Sequence, residues 1–125
     1  MAQAPVWRAL TRRERAVLDR LLSRHFPGRD ELAAQLDAAL VSPIDREGSL
    51  AFQVSGPIAM VQRRVPVEAW YSDGAPGIRV EILLHVVDGQ IRELEVYKVD
   101  GSDLIVGPFE IEPEHIETCA ERRQP

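Results

Sequence analysis

Ile78-Arg79-Val80-Glu81-Ile82-Leu83-Leu84-His85-Val86-Val87-Asp88-Gly89-Gln90-Ile91-Arg92-Glu93-Leu94-Glu95-Val96-Tyr97-Lys98-Val99 decides the fold. Two runs of β-branched, aliphatic and aromatic residues flank Asp88-Gly89, a pair suited to the left-handed conformations of a tight hairpin turn. On the first run Ile78, Val80, Ile82, Leu84 and Val86 share one face. On the second, Leu94 and Val96 are the apolar positions, and Glu93 and Glu95 alternate with them. A plain two-residue loop would set Leu84 opposite Glu93 and Ile82 opposite Glu95. One extra residue restores apolar opposite apolar. A slip of one position moves every side chain to the other face, so the buried face fixes the register. We therefore expect a bulged hairpin with a three-residue loop and Gly89 in the left-handed region. Its outer face then carries Arg79, Glu81, Leu83 and His85 beside Glu93, Glu95 and Tyr97.

Upstream, the period is helical. Thr11-Arg12-Arg13-Glu14 has the form of a capping box, in which the Thr hydroxyl takes the N3 amide and the Glu reaches back. Val17, Leu18, Leu21 and Leu22 then make one apolar stripe. Pro27-Gly28 ends that helix. Asp30 is placed to cap a second, in which Leu32, Ala33, Leu36 and Leu40 recur. Helices are expected over 11–25 and 30–40. Past residue 40 the period becomes two: Leu50, Phe52 and Val54 share a face, as do Ala59, Val61, Val65, Val67, Ala69 and Tyr71. Pro66 cannot donate to a ladder and marks an edge, bulge or break. Ser72 to Gly77 reads as a loop. Leu104-Ile105-Val106 reads as a last short strand, and residues 114–122 as a short helix or frayed tail. The expected fold is α+β, with two N-terminal helices packed on one face of an antiparallel meander sheet of four to five strands. Residues 1–9 form an arm, 10–109 a single domain, and 110–125 an acidic C-terminal tail or short helix.

The chain has 125 residues, 45% hydrophobic and 28% charged, which suits one ordinary globular domain. Its net charge of −5 is uneven. Residues 1–29 hold seven arginines and two acids; the remainder holds eighteen acids and eight Lys/Arg. The acidic body makes nucleic acid an unlikely partner. Fourteen arginines against the lone Lys98 is the bias of a GC-rich bacterial genome. Arginines 8, 12, 13 and 15 interrupt any signal-peptide core, and no apolar run nears the ~20 residues that span a bilayer. A cytoplasmic location without membrane contact is expected. Cys119 stands alone, which excludes an internal disulfide or a multi-cysteine zinc site. His25, His85 and His115 fall in no ligand spacing along the chain, so no metal and no cofactor is expected.

The stretch Leu84-His85-Val86-Val87-Asp88-Gly89-Gln90-Ile91-Arg92-Glu93-Leu94-Glu95-Val96-Tyr97-Lys98-Val99-Asp100-Gly101 resembles a family of small bacterial domains of unknown function. Leu10 to Glu14 (Leu-Thr-x-x-Glu) and Gly48 to Phe52 (Gly-Ser-Leu-x-Phe) share in the resemblance, which covers residues 8–108. It implies an α+β fold and carries no catalytic residues to transfer.

Functional candidates lie mainly on the outer hairpin face. Glu81, Leu83, His85, Glu93, Glu95 and Tyr97 are the expected binding residues. An exposed aromatic among carboxylates suits a basic protein partner, the ring anchoring and the acids steering. The expected function is that of a small acidic binding protein, such as an inhibitor or immunity-type protein that masks a basic partner. The alternative is a small enzyme or small-ligand module in which His85 works with Glu93 or Glu81, a carboxylate orienting the imidazole as a base. The arginines of the first helix are expected to dock on the acidic remainder. Arg63, if buried, needs a carboxylate such as Glu68 or Glu81. Asp45, Glu47 and Gly48 read as a turn. An edge strand near Pro66 or Leu104 leaves a homodimer open.

Overall fold

The computed structural model describes residues 4–74 and 78–120. Ala75, Pro76 and Gly77 of the expected loop, and Arg122-Arg123 with the rest of the tail's end, lie outside the described residues. Helix α1 runs Arg12–Leu21 and α2 Arg29–Leu36. Strands are β1 (Arg8–Ala9), β2 (Leu40–Pro43), β3 (Leu50–Gln53), β4 (Glu68–Ser72), β5 (Arg79–Val87), β6 (Gln90–Lys98) and β7 (Glu117–Cys119). They form one antiparallel sheet in the order β1-β2-β3-β6-β5-β4-β7. The fold is α+β, but the sheet has seven strands and is not a simple meander. The chain leaves β3, passes the β5–β6 hairpin, and re-enters at β4 on its far side.

The hairpin carries both an expected feature and a correction. Ile82 faces Val96 and Leu84 faces Leu94, apolar to apolar. The extra residue is not in the loop. Val87 pairs with Gln90, so the turn is the two residues Asp88-Gly89, at φ 52 and 76. Between His85↔Glu93 and Val86↔Ile91 the register shifts, leaving Arg92 as the bulge. A two-residue turn with both φ positive matches the twist of the strands, and the parity is corrected one step further along.

Thr11 and Glu14 form the capping box in both directions. The Arg8 guanidinium grips the same carboxylate with two hydrogen bonds of 2.8 Å. Burial pushes the Glu14 carboxyl up, but Arg8 and the Thr11 N–H outweigh it, and the net direction is down. Helix α1 stops earlier than expected, its cap at Leu22. The second helix is capped not by Asp30 but by Gly28 at φ 89, and it ends at Leu36 so that Leu40 can open β2. Leu18, Leu21, Leu22, Leu32 and Leu36 join Val41, Leu50, Phe52, Val80, Ile82, Leu84, Ile91, Leu94 and Val96 in one core.

Three further expectations are corrected. Residues 59–67 are not strand; Ala59 donates instead to the Gly89 carbonyl, and Val86 to that of Arg64. Leu104–Val106 is not strand either. Tyr71 Oη donates to the Val106 carbonyl (2.6 Å), and the Ile105 N–H donates to Asp73 (2.7 Å). Asp73 also meets Lys98, a buried ion pair at 3.2 Å at the end of the core. Residues 114–122 do not form a helix: a single 3₁₀ turn at Pro113–His115 leads into β7. The described sheet edges are therefore β1 and β7, and neither Pro66 nor Leu104 belongs to a strand.

Two arginines of α1 and one just past its end explain why the C-terminal segment is held. Arg13 donates to the Phe109 carbonyl, Arg20 to that of Ile116, and Arg24 to the hydroxyl and carbonyl of Thr118. Arg15 pairs with Asp19 and Asp37. Among the described residues no helix is long and apolar enough to cross a membrane.

Candidate functional site

Strand alternation builds the outer face rung by rung. Across one rung stand Ala51 (β3), Glu93 (β6) and His85 (β5). The next carries Glu95, Leu83, Glu68 and Cys119 on β6, β5, β4 and β7; the next, Tyr97, Glu81, Trp70 and Glu117. Five glutamates thus share one surface. Among the described residues, the arginines near it are Arg79, Arg92 at the bulge, and Arg64 reaching in from the preceding loop.

The structure separates two groups that the sequence placed together. His85 pairs with Glu95, not Glu81. Its Nε2 lies 2.8 Å from Glu95 Oε1, diagonally across the strands. On the other side of the ring, Arg64 Nε donates to His85 Nδ1 at 3.2 Å. A nitrogen that accepts from guanidinium carries no proton, so Nε2 carries it and donates to Glu95. The Glu93 carboxylate converges on the same point: one ligand atom each from His85, Glu93 and Glu95 lie within 4.8 Å of one another. All three residues are partly buried.

Glu81 is 5% exposed and belongs to a second group. Its Oε1 meets Arg79 Nη2 at 3.1 Å, while the Arg79 guanidinium lies over the Trp70 ring, 5.1 Å from its centroid. Such a placement combines a charge pair with attraction to the ring face. The buried Glu81 Oε2 has no hydrogen-bond partner among the described residues. Tyr97, opposite Glu81, keeps 41% of its surface exposed. Leu83, between the two groups, is partly buried.

The remaining candidates are structural. Arg63 donates to the backbone carbonyls of Pro66 and Ala120, and no ion pair joins it to a carboxylate among the described residues. Asp45 Oδ1 accepts from the N–H groups of Glu47 and Ser49, which is a side-chain-closed turn. Tyr71 is core and Trp70 is on the outer face. Two features that sequence reasoning missed are the contact of Arg64 with His85 and the role of Gln35. Gln35 is 1% exposed; its amide donates to Pro57 and Gly89 and accepts from the Ile91 N–H. A lone glutamine on an apolar helix face was the available signal. The described clefts line α1, its junction with Phe109–Pro113, and the loops around His25 and Phe26, so none of them opens on His85.

A family model described as a domain of unknown function (DUF6984) matches residues 7–108, and the chain belongs to that family. No curated protein and no solved structure matches the chain.

Proposed function

For this DUF6984 member we propose a binding role: the outer face of the hairpin sheet receives a basic protein partner, and the chain performs no chemistry of its own. The observation that carries the proposal is the grouping of Glu68, Glu93, Glu95 and Glu117 on adjacent strands beside the exposed Tyr97. Carboxylates spread over several rungs attract a cationic surface over a distance, and a half-exposed ring supplies the contact that holds it. An inhibitor or immunity-type role, in a cytoplasmic setting, is the specific form of this proposal. The test is affinity capture from the source cells with wild type, Glu93→Arg and Tyr97→Ala. A basic partner retained by wild type and lost by Glu93→Arg is expected; the same partners in all three would refute it.

A second reading is favoured by one observation, the 2.8 Å contact of His85 with Glu95. A carboxylate-held imidazole on a strand is the core of a small-ligand or general-base site. His85→Ala separates the two readings: it abolishes a His85-centred activity and leaves charge-steered protein binding largely intact.

A further inference from the structure

We propose that His85, Glu93 and Glu95 form a binding site for a divalent transition-metal ion of the zinc type. The inference does not depend on a protein partner. Three donors of the right chemistry converge from two adjacent strands, within 4.8 Å. Ligand atoms about 2.1 Å from a tetrahedral ion stand roughly 3.4 Å apart, so small side-chain rotations close the set. One imidazole and two carboxylates suit zinc and its neighbours; calcium and magnesium prefer oxygen alone. Three protein donors leave the fourth position of a tetrahedral ion for water or a ligand.

The arrangement follows from the bulge. Without Arg92 as an extra residue, Glu93 and Glu95 would face the core side of β5 instead of His85. Linear spacing hides the site because the imidazole comes from the opposite strand. Glu93 engages no described residue by hydrogen bond or ion pair, so its carboxylate has a charge to spend. By contrast, the Asp73–Lys98 pair is already committed to holding Ile105 and Asp103.

Arg64 opposes the ion. While it donates to Nδ1, the ring proton sits on Nε2, which a metal needs bare. Loading therefore requires Arg64 to withdraw and the proton to move to Nδ1 or leave. A glutamine at position 64 can instead accept from Nδ1–H, the arrangement that metal-bound histidines usually have.

The experiment is calorimetric titration of the full chain with zinc chloride, with calcium chloride in parallel. One zinc per chain is expected, with calcium far weaker. His85→Ala weakens zinc binding by about 100-fold or more and Glu93→Gln by about tenfold or more, while Arg64→Gln tightens it a few-fold. Cys119→Ser and His25→Ala leave it unchanged, which excludes uptake at those residues. Should His85→Ala not fold, Glu93→Gln and a zinc-dependent shift of the wild-type His85 Nε2 resonance carry the same test. No zinc uptake, equal binding of calcium, unchanged affinity in His85→Ala or Glu93→Gln, or weaker binding by Arg64→Gln overturns the proposal.

Discussion

Replacing Gln35 with leucine tests how the hairpin tip is held. Its amide makes three contacts: Nε2 to Pro57 O and to Gly89 O at 2.8 Å each, and Oε1 from Ile91 N at 3.0 Å. Leucine keeps the side chain's bulk and removes all three. The Gly89 carbonyl retains its bond from Ala59 N–H (2.9 Å), so it is not orphaned. The Ile91 N–H is buried and loses its partner, whereas the carbonyl of exposed Pro57 turns to water. A buried donor left unmade costs about 1–3 kcal/mol, and the added apolar burial returns a fraction of that. The expected loss is about 1–3 kcal/mol. For a domain of this size that lowers Tm by roughly 3–5 °C per kcal/mol. Urea unfolding measures the loss, and hydrogen exchange at Ile91 locates it. A change under about 0.5 kcal/mol, or undiminished protection at Ile91, refutes the reasoning.

Other perturbations have equally definite outcomes. Gly89→Ala forces a Cβ at φ 76 against Ile58 Cγ2 and 2.8 Å from the Ala59 carbonyl, and thermal unfolding should show a loss above about 2 kcal/mol. Ser49 Oγ accepts from Val96 N–H (2.9 Å) and donates to Val96 O (3.3 Å) where β3 no longer pairs with β6. Ser49→Ala should cost about 1–3 kcal/mol in urea unfolding, with Val96 the amide that loses protection. On acidification, Asp73 and Glu14 set the sign. Burial raises the Asp73 carboxyl, but the Ile105 N–H and Lys98 outweigh it, and both carboxyls sit below their ordinary values. The unfolded chain then binds more protons, so this stabilisation is complete above the ordinary carboxylate range and is lost as pH falls through and below it. Stability measured from pH 6 downward should fall, and Asp73→Asn should flatten part of that slope.

The hairpin and first helix were legible because each has redundant local signals. Asp88-Gly89, alternation on both flanks and the shared even parity of Leu84 and Leu94, which a plain two-residue loop cannot pair, all pointed one way, and Thr11 with Glu14 capped α1 as its spacing required. What escaped was short or set by distant contacts. Strand β1 has two residues, β2 ends in Pro43, and β7 is Glu-Thr-Cys, ordered by arginines about 95 residues earlier in the chain. The bulge was foreseen but misplaced, because parity demands one extra residue and does not say where. The hairpin's own outer-face residues were foreseen, but Glu68, Trp70 and Glu117, which the flanking strands β4 and β7 add to that face, were not. Nor were the hairpin's pairings: Glu81 goes to Arg79 and His85 to Glu95, because diagonal neighbours compete with direct ones and the rotamers decide.

The central claim is that the acidic sheet face steers a basic partner. Its most direct measurement is the association rate of the captured partner against ionic strength, for wild type and for Glu93→Arg/Glu95→Arg. A steep fall with salt in wild type and a slow, nearly salt-independent rate in the variant is the predicted result. The same rate and the same salt slope in both proteins would contradict it.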